Sequence, residues 1–385
     1  MIFRDFVLKD PLLRFFHTLS NGYKLYAVGG IVRDYLLGRK SLDYDIVVVG
    51  NFRDIVDSFL KKFGGKLVQI TEFGTAKIKV DHRIVDIAKA RKEFYPKPGA
   101  LPQVLPSNNI LEDLRRRDFT INAMAISLNL SDVGRLIDPF GGYEDLFENK
   151  LLRVLKEKSY YEDPTRAFRG IRYKNRFDLQ YHKSILEREI PLALRILPDV
   201  SFARIKHELE RISEEENRAL MFREVKSFGL LKHLGPSIDA NGFNLLDSIL
   251  QEKSPSHWVL FTLLIVKLPH TLPDLRRKER GLIKGFSDFI EKEIPMDPAE
   301  IHRTFYNMDP EIPLLIGIVK KRDDLIDYYR ARKSVKIRIK GDSLVSSGLR
   351  NENIRRFLIE LFVKKWKGEI KTEREELEFL KKWTP

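Results

Sequence analysis

Leu25 to Gly50 reads LYAVGGIVRDYLLGRKSLDYDIVVVG. An apolar run enters the Gly29-Gly30 pair. A helical pattern follows, with Arg33 and Asp34 polar and Tyr35, Leu36 and Leu37 mostly apolar, and Gly38 ends it as glycine does just past a helix C-terminus. Ser41-Leu42-Asp43-Tyr44-Asp45 then runs into Ile46-Val47-Val48-Val49, a β-branched run that predicts a buried strand. Asp43 and Asp45 stand two apart at the head of that strand, so both carboxylates point to one face. With no basic residue between them they repel unless a cation joins them. Oxygen ligands suit Mg2+, which typically binds one or two carboxylates together with substrate phosphates. The glycine pair lets backbone approach a phosphate closely, with N–H groups free to donate.

Around this stretch the pattern is mixed α and β. Residues 8–20 predict a short helix, Tyr23 to Val28 a strand, and Phe52 to Phe63 a helix ending at Gly64-Gly65. Lys66 to Ile70, Ala76 to Val80 and Arg83 to Ile87 predict short strands. Asp86 lies inside the last of these; an acid in an apolar strand is costly unless it is paired, bound to a cation or turned to solvent. Residues 93–109 are rich in Pro, Gly and Asn and predict a long loop.

Leu111 to Ile126 reads LEDLRRRDFTINAMAI. Arg115, Arg116 and Arg117 alone would suit a solvated face. Here they adjoin Asp118 and the apolar run Ala123 to Ile126, and arginine near a core normally has an anionic partner. Asp138 to Leu146 reads as a structural turn with a glycine pair. From residue 151 the pattern turns helical. Asp163 and Pro164 predict a helix start, with Asp163 at the cap and Pro164 in the first turn. Arg166, Arg169 and Arg172 follow at spacings of three and share a face. Asp163 is placed to fix the Arg166 guanidinium, an acid–arginine pair suited to a base edge at one end and phosphates at the other.

The chain has 385 residues, enough for more than one domain. It has no cysteine, which excludes disulfide-linked partners and cysteine–zinc sites and fits a reducing, cytoplasmic setting. The longest apolar run, Trp258 to Val266, is too short to span a bilayer, so no membrane partner is expected. The net charge of +14 points to a polyanionic partner or to a densely charged surface of thermophile type. Residues 301–385 hold 20 Lys and Arg against 13 Asp and Glu, half of that excess.

Taken in order, GGIVRDYLLG, DYD, EDLRRRDFTINAMA, DPFGGYEDL, EDPTRAFRGIRYKNRF and SFARIKHELERI resemble the class II tRNA nucleotidyltransferases. That family includes CCA-adding, CC-adding and A-adding enzymes and bacterial poly(A) polymerases. The resemblance covers about residues 23–212 and is weaker beyond. It implies an α+β fold: a mixed-sheet nucleotidyltransferase head of polymerase β type, residues 1–150, followed by an all-α neck (151–214), body (215–300) and basic tail (301–385). It implies that Gly29, Gly30 and Arg33 bind phosphate and that Asp43 and Asp45 hold the metal. Asp86 falls where relatives often carry a third acid, usually Glu. Arg116, Arg117, Asp118 and Asn122 match the motif that contacts the nucleotide sugar and phosphate. Asp163 and Arg166 match the pair that reads the incoming base, and Arg169 and Arg172 the arginines after it. Ala203 departs from the family, whose sixth segment commonly carries Glu there. Phe94 to Val104 sits at the flexible loop that relatives use in switching from C to A addition.

The implied activity is template-independent addition of C, A or both to a tRNA 3′ end from CTP and ATP, with Mg2+ as cofactor and tRNA as partner. CCA, CC and A addition are all compatible with these motifs. Lys66 to Ile78 lacks the basic-aromatic-histidine stretch that poly(A) polymerases tend to carry. A catalytically inactive RNA-binding module is opposed by the intact Asp43, Asp45 and Asp163. No histidine is followed by Asp, so an appended phosphohydrolase of that type is not indicated.

Overall fold

The computed structural model describes residues 1–72 and 74–384; Phe73, inside the 66–78 stretch, and Pro385, at the end of the basic tail, lie outside the described residues. The chain divides into two compact units, Met1–Val200 and Ser201–Pro385.

The first unit is built on strands β1 (Lys24–Val28), β2 (Asp43–Val49), β3 (Lys66–Thr71), β4 (Thr75–Val80), β5 (Arg83–Lys89), β6 (Arg91–Phe94), β7 (Gln103–Pro106), β8 (Ala125–Ser127) and β9 (Leu136–Ile137). Among the described residues, seven of these form one mixed sheet in the order β3-β4-β5-β2-β1-β8-β9. β2 and β5 run parallel with Asp45 opposite Asp86, and the other pairings are antiparallel. The β-branched Ile46, Val47 and Val48 are buried at the centre, as the apolar run requires. The helices of this unit are α1 (Arg4–Lys9), α2 (Pro11–Leu19), α3 (Gly30–Leu36), α4 (Phe52–Phe63), α5 (Ile110–Arg115), α6 (Gly142–Phe147), α7 (Ser159–Glu162), α8 (Arg166–Arg176) and α9 (Ile190–Ile196).

Three local expectations change. The helix expected over 8–20 is two helices, because Asp10 accepts from the Leu12 and Leu13 N–H groups at 2.8 and 3.0 Å and starts α2 at Pro11. The loop expected over 93–109 contains most of the antiparallel β6–β7 hairpin, with Arg91 opposite Pro106 and Phe94 opposite Gln103. The stretch after 151 is not wholly helical, since Leu151–Leu152 pairs in parallel with Gln180–Tyr181. The Asp138 turn is structural as expected: its carboxylate accepts from the Gly142 and Tyr143 N–H groups, both at 2.8 Å, and starts α6.

The second unit is helical: α10 (Phe202–Ser213), α11 (Arg218–Ser227), α12 (Phe243–Leu250), α13 (Trp258–Thr262), α14 (Arg277–Phe289), α15 (Pro298–Phe305), α16 (Glu311–Lys320), α17 (Asp323–Ser334), α18 (Gly341–Ser346), α19 (Asn351–Trp366) and α20 (Glu373–Lys382). A separate apolar cluster, Leu344, Phe357, Leu361, Ile370 and Leu380, closes its C-terminal end. No helix is long and apolar enough to cross a membrane among the described residues.

Candidate active site

The two central strands bring the acids together. Parallel pairing sets Asp45 directly opposite Asp86, with Asp43 two residues back on β2 and exposed. Lys77, from β4, lies 3.2 Å from Asp86 Oδ2, while Asp86 Oδ1 is buried with no hydrogen-bond partner. Burial pushes the Asp45 carboxyl up to about 6, with Asp86 and Asp43 adding to the rise against Arg117 and Lys77. Asp86 is also raised, by burial and by Asp43, against its bond to Lys77. An orphaned buried oxygen beside a carboxylate that resists ionisation fits a hard divalent ion, which would relieve both. Among the described residues no ready-made group of three or more acids and histidines is arranged around such an ion; Asp45 and Asp86 stand opposite each other with Asp43 two residues back, and Asp86 is half engaged by Lys77.

Gly29 sits where this acid cluster meets an arginine. Its φ of +70° favours glycine. A Cβ there would come 2.5 Å from Arg117 Nη1 and 3.6 Å from Asp45 Oδ2. The expected free N–H is not free at Gly29: it donates to the Met124 carbonyl at 3.1 Å. The glycine therefore serves close approach of Arg117 to the backbone beside Asp45. Gly30 opens α3. Arg33, one turn on, is buried; it donates to Asn122 Oδ1 and to Asp34 and lies 4.4 Å over Phe177 and 5.3 Å over Tyr173 of α8. Its guanidinium ties α3 to α8.

The arginine triplet is not a solvated face. Arg115 is exposed, but Arg116 and Arg117 converge on Asp113, whose side chain is fully buried. Asp113 accepts from Arg116 Nε at 2.9 Å and Arg117 Nη2 at 3.1 Å. Arg116 also donates to Glu93 of β6 at 2.9 Å. Burial opposes ionisation of Asp113, yet Arg117 and Arg116 outweigh it and hold the carboxyl below its usual range. Asp118 is a second such hub. It accepts from the Phe119 N–H at 2.8 Å and from Asn122 at 3.0 Å, and pairs with Arg169 at 2.7 Å. Burial would raise it, but Arg169 and Asn122 hold it low.

The Arg166 N–H donates to the Asp163 carbonyl at 3.1 Å, and each side chain has further partners. Asp163 Oδ1 accepts from the Thr165 N–H at 3.1 Å and from the Thr165 hydroxyl at 2.7 Å, and α8 starts only at Arg166 with Thr165 as its cap residue. The expected cap is thus a tight turn before the helix, which Asp-Pro sequences also form. Arg166, 3% exposed, donates to Ser159 Oγ at 2.7 Å and Tyr95 Oη at 3.1 Å, with Glu162 at 3.8 Å. Its guanidinium is oriented by these groups. Arg172 lies over the Tyr173 ring at 5.2 Å.

All the expected site residues fall in the first unit, and two clusters gather eight of them. One holds Asp43, Asp45, Asp86, Gly29 and Arg117; the other joins Asp118, Asn122 and Arg169. Arg33 and Arg117 link the clusters through Asn122. Sequence reasoning missed Asp113, Glu93, Tyr95 and Ser159. Asp113 carried a signal, standing three and four residues before the two arginines it holds. The other three reach their partners across 23, 71 and 7 residues, and no local spacing marks them.

Residues 25–153 match the family described as Poly A polymerase head domain. The chain is 31% identical over 381 residues to an A-adding tRNA nucleotidyltransferase of Aquifex aeolicus, covering 93% of this chain and 42% of that relative. It is 34% identical over 280 residues to a CCA-adding enzyme of Coxiella burnetii, covering 70% of this chain and 69% of the relative. The solved structure of the Thermotoga maritima CCA-adding enzyme complexed with tRNA_CCA superposes with a TM-score of 0.76 at 28% identity, covering 99% of this chain and 98% of that one. The chain thus spans less than half the length of the Aquifex relative and more than two thirds of the Coxiella one.

Proposed function

The chain belongs to the tRNA nucleotidyltransferase and poly(A) polymerase family, and from that premise we propose that it adds C, A or both to the 3′ end of tRNA, from CTP and ATP, with release of pyrophosphate. The observation that carries the reading is the meeting of Asp43, Asp45 and Asp86 beside the Gly29–Arg117 contact. Asp45 and Asp86, which burial makes resist ionisation, lie beside an arginine poised to meet phosphate.

Asp43 and Asp45 would hold divalent ions, Mg2+ in a two-metal arrangement; when bound, these supply a lowered pKa for the attacking hydroxyl and neutralise charge on the leaving pyrophosphate. The protein's own part is positioning. Arg117 stands at the glycine pair, where it can meet the triphosphate. Asp118, Asn122 and Arg169 form the wall expected to face the sugar. Asp163 offers an acceptor and Arg166 a donor to the base. C and A both present an exocyclic amine beside a ring nitrogen acceptor, whereas G and U present the reverse, so this pair accepts C and A and rejects G and U. The division of labour we assign is head (1–150), neck (151–214), body (215–300) and tRNA-binding tail (301–385), in a cytoplasmic setting.

The test is incubation with tRNA lacking its 3′ end, Mg2+ and each labelled NTP singly, on acceptors ending in the discriminator base, C or CC. Incorporation of CMP or AMP, and of neither GMP nor UMP, is the expected result. Long A tracts on any RNA would point to a poly(A) polymerase, and binding without incorporation to an RNA-binding module. A narrower reading, A addition alone, is favoured by the similarity to an A-adding enzyme over 93% of the chain. It requires that only the acceptor ending in CC be extended.

A further inference from the structure

We propose that Glu189 is a positioning residue for nucleotide selection, acting on Arg166 through the short helix α7. The proposal rests on the reading that Arg166 contacts the incoming base. Glu189 ends a π-helical turn, Ile185–Glu189, directly before α9. π-turns are rare and are often found at functional sites. The Glu189 side chain is fully buried. Its two oxygens accept from the backbone N–H groups of Lys158 at 3.0 Å and Tyr160 at 2.8 Å, and Arg188 Nε donates to it at 3.0 Å.

Those two N–H groups flank Ser159. Lys158, the residue before α7, has a φ of +61°, a conformation a lysine adopts only when its surroundings impose it. The carboxylate grips the backbone on both sides of Ser159 and so fixes where its hydroxyl stands. That hydroxyl accepts from Arg166 Nη1 at 2.7 Å, and the Ser159 carbonyl lies 3.4 Å from the same nitrogen. The far end of α7 is fixed to the loop between β6 and β7, where the Gly99 N–H donates to the Glu162 carbonyl at 3.1 Å. That loop also supplies Tyr95, whose hydroxyl accepts from Arg166 Nη2 at 3.1 Å. α7 is thus the part through which the Ser159 and Tyr95 contacts of the Arg166 guanidinium are set, and Glu189 anchors it from the turn before α9.

A neutral Gln at this position keeps the size but presents an amide that cannot accept on both sides. The α7 backbone is then released and Arg166 loses a fixed direction. Discrimination depends on a donor standing in one place, because a misplaced donor no longer leaves a wrong base with unpaired groups.

The experiment measures equilibrium binding of ATP, CTP, GTP and UTP, and single-nucleotide incorporation, for wild type, Glu189→Gln, Ser159→Ala, Ser159→Thr and Arg166→Ala, with a thermal melt of each. Glu189→Gln and Ser159→Ala are expected to narrow the preference for ATP and CTP over GTP and UTP by about tenfold, the effect of roughly one lost hydrogen bond to a charged group. The change should appear in KM and selectivity more than in kcat, and Ser159→Thr should restore it. If Glu189→Gln does not fold, Ser159→Ala, which removes only a hydroxyl, decides the matter. Wild-type selectivity in folded Glu189→Gln and Ser159→Ala proteins, alongside its loss in Arg166→Ala, overturns the role of Glu189 and leaves the function of Arg166 standing. Unchanged selectivity in Arg166→Ala overturns both.

Discussion

Arg166 in the first unit and Lys336, Arg338 and Lys340 in the second carry the same charge under opposite conditions. Arg166 is buried against Ser159 and Tyr95, and Arg116 and Arg117 share the buried Asp113. Lys336, Arg338 and Lys340 alternate with Val335, Ile337 and Ile339 along an extended segment, the cations exposed and the apolar residues half-buried. Glu376, fully buried, holds that segment by accepting from the Arg338 and Ile339 N–H groups at 2.8 and 3.0 Å. The cations of the first unit are placed to act on one group at one distance. Those of the tail stand exposed; if they meet a polyanion, as we propose, number and salt decide the contact. A net charge of +14 describes only the second kind.

The comparison breaks most visibly at the acids. Asp43→Ala or Asp45→Ala should reduce nucleotidyl transfer about a thousandfold or more, since charge stabilisation of this kind is worth several kcal/mol. The thermal melt and tRNA binding should stay near wild type. Near-normal turnover in either variant would remove the catalytic assignment.

Next comes stability. Asp113→Ala leaves two mostly buried guanidinium groups without the carboxylate they share, with Glu93 left to Arg116, and should cost about 3–5 kcal/mol. Denaturant melts measure it. A cost under about 1 kcal/mol, the value of an exposed pair, would mean that the first unit's arginines behave like the tail's.

For the tail, replacing Lys336, Arg338 and Lys340 together with Ala should leave stability within about 0.5 kcal/mol, as surface changes do. tRNA affinity should drop, and the slope of log affinity against log salt should fall by up to about 3 if each cation neutralises one phosphate. An unchanged slope would separate these residues from RNA binding.

A pH test sharpens the comparison inside the second unit. Burial, with Arg218 beside it, pushes His257 down to about 4, and burial with Arg332 nearby does the same to His302. An unfolded histidine takes its proton near pH 6.5, while these wait until about 4. The unfolded state therefore gains protons first, and stability should decline as pH falls from about 6.5 towards 4. Melts across that range test it, and His257→Gln with His302→Gln should flatten the trend.

Much of the architecture was legible from local chemistry. Phe52 to Phe63 forms a helix over the expected residues, Gly38 follows the α3 terminus with a φ of +68°, and Arg83 onwards is a strand that brings Asp86 to Asp45. The site was legible as a set of residues but not as a set of contacts. Asp-Pro signals either a helix cap or a tight turn, and only packing chose the turn at Asp163. The β6–β7 hairpin was hidden because Pro and Gly dominate its connection, and its pairing has no alternating apolar face to announce it. Arg33, which the resemblance assigns to phosphate binding, also lies over Phe177 and Tyr173, more than 130 residues away, a contact no local spacing marks.

The parallel pairing of β2 with β5 also has a consequence for how the chain acquires its structure. Asp45 and Asp86 meet only after α4, β3 and β4 have been threaded between the two strands. Contacts of such sequence separation form slowly, because loop closure must precede any gain. A slip of two residues would keep the same apolar face inward yet move Asp86 about 6.6 Å along β5 from Asp45, at about 3.3 Å per residue. Hydrophobic burial alone therefore does not choose the register that aligns the acids. The neighbouring pairings must, through the β4–β5 hairpin on one side and β1 on the other.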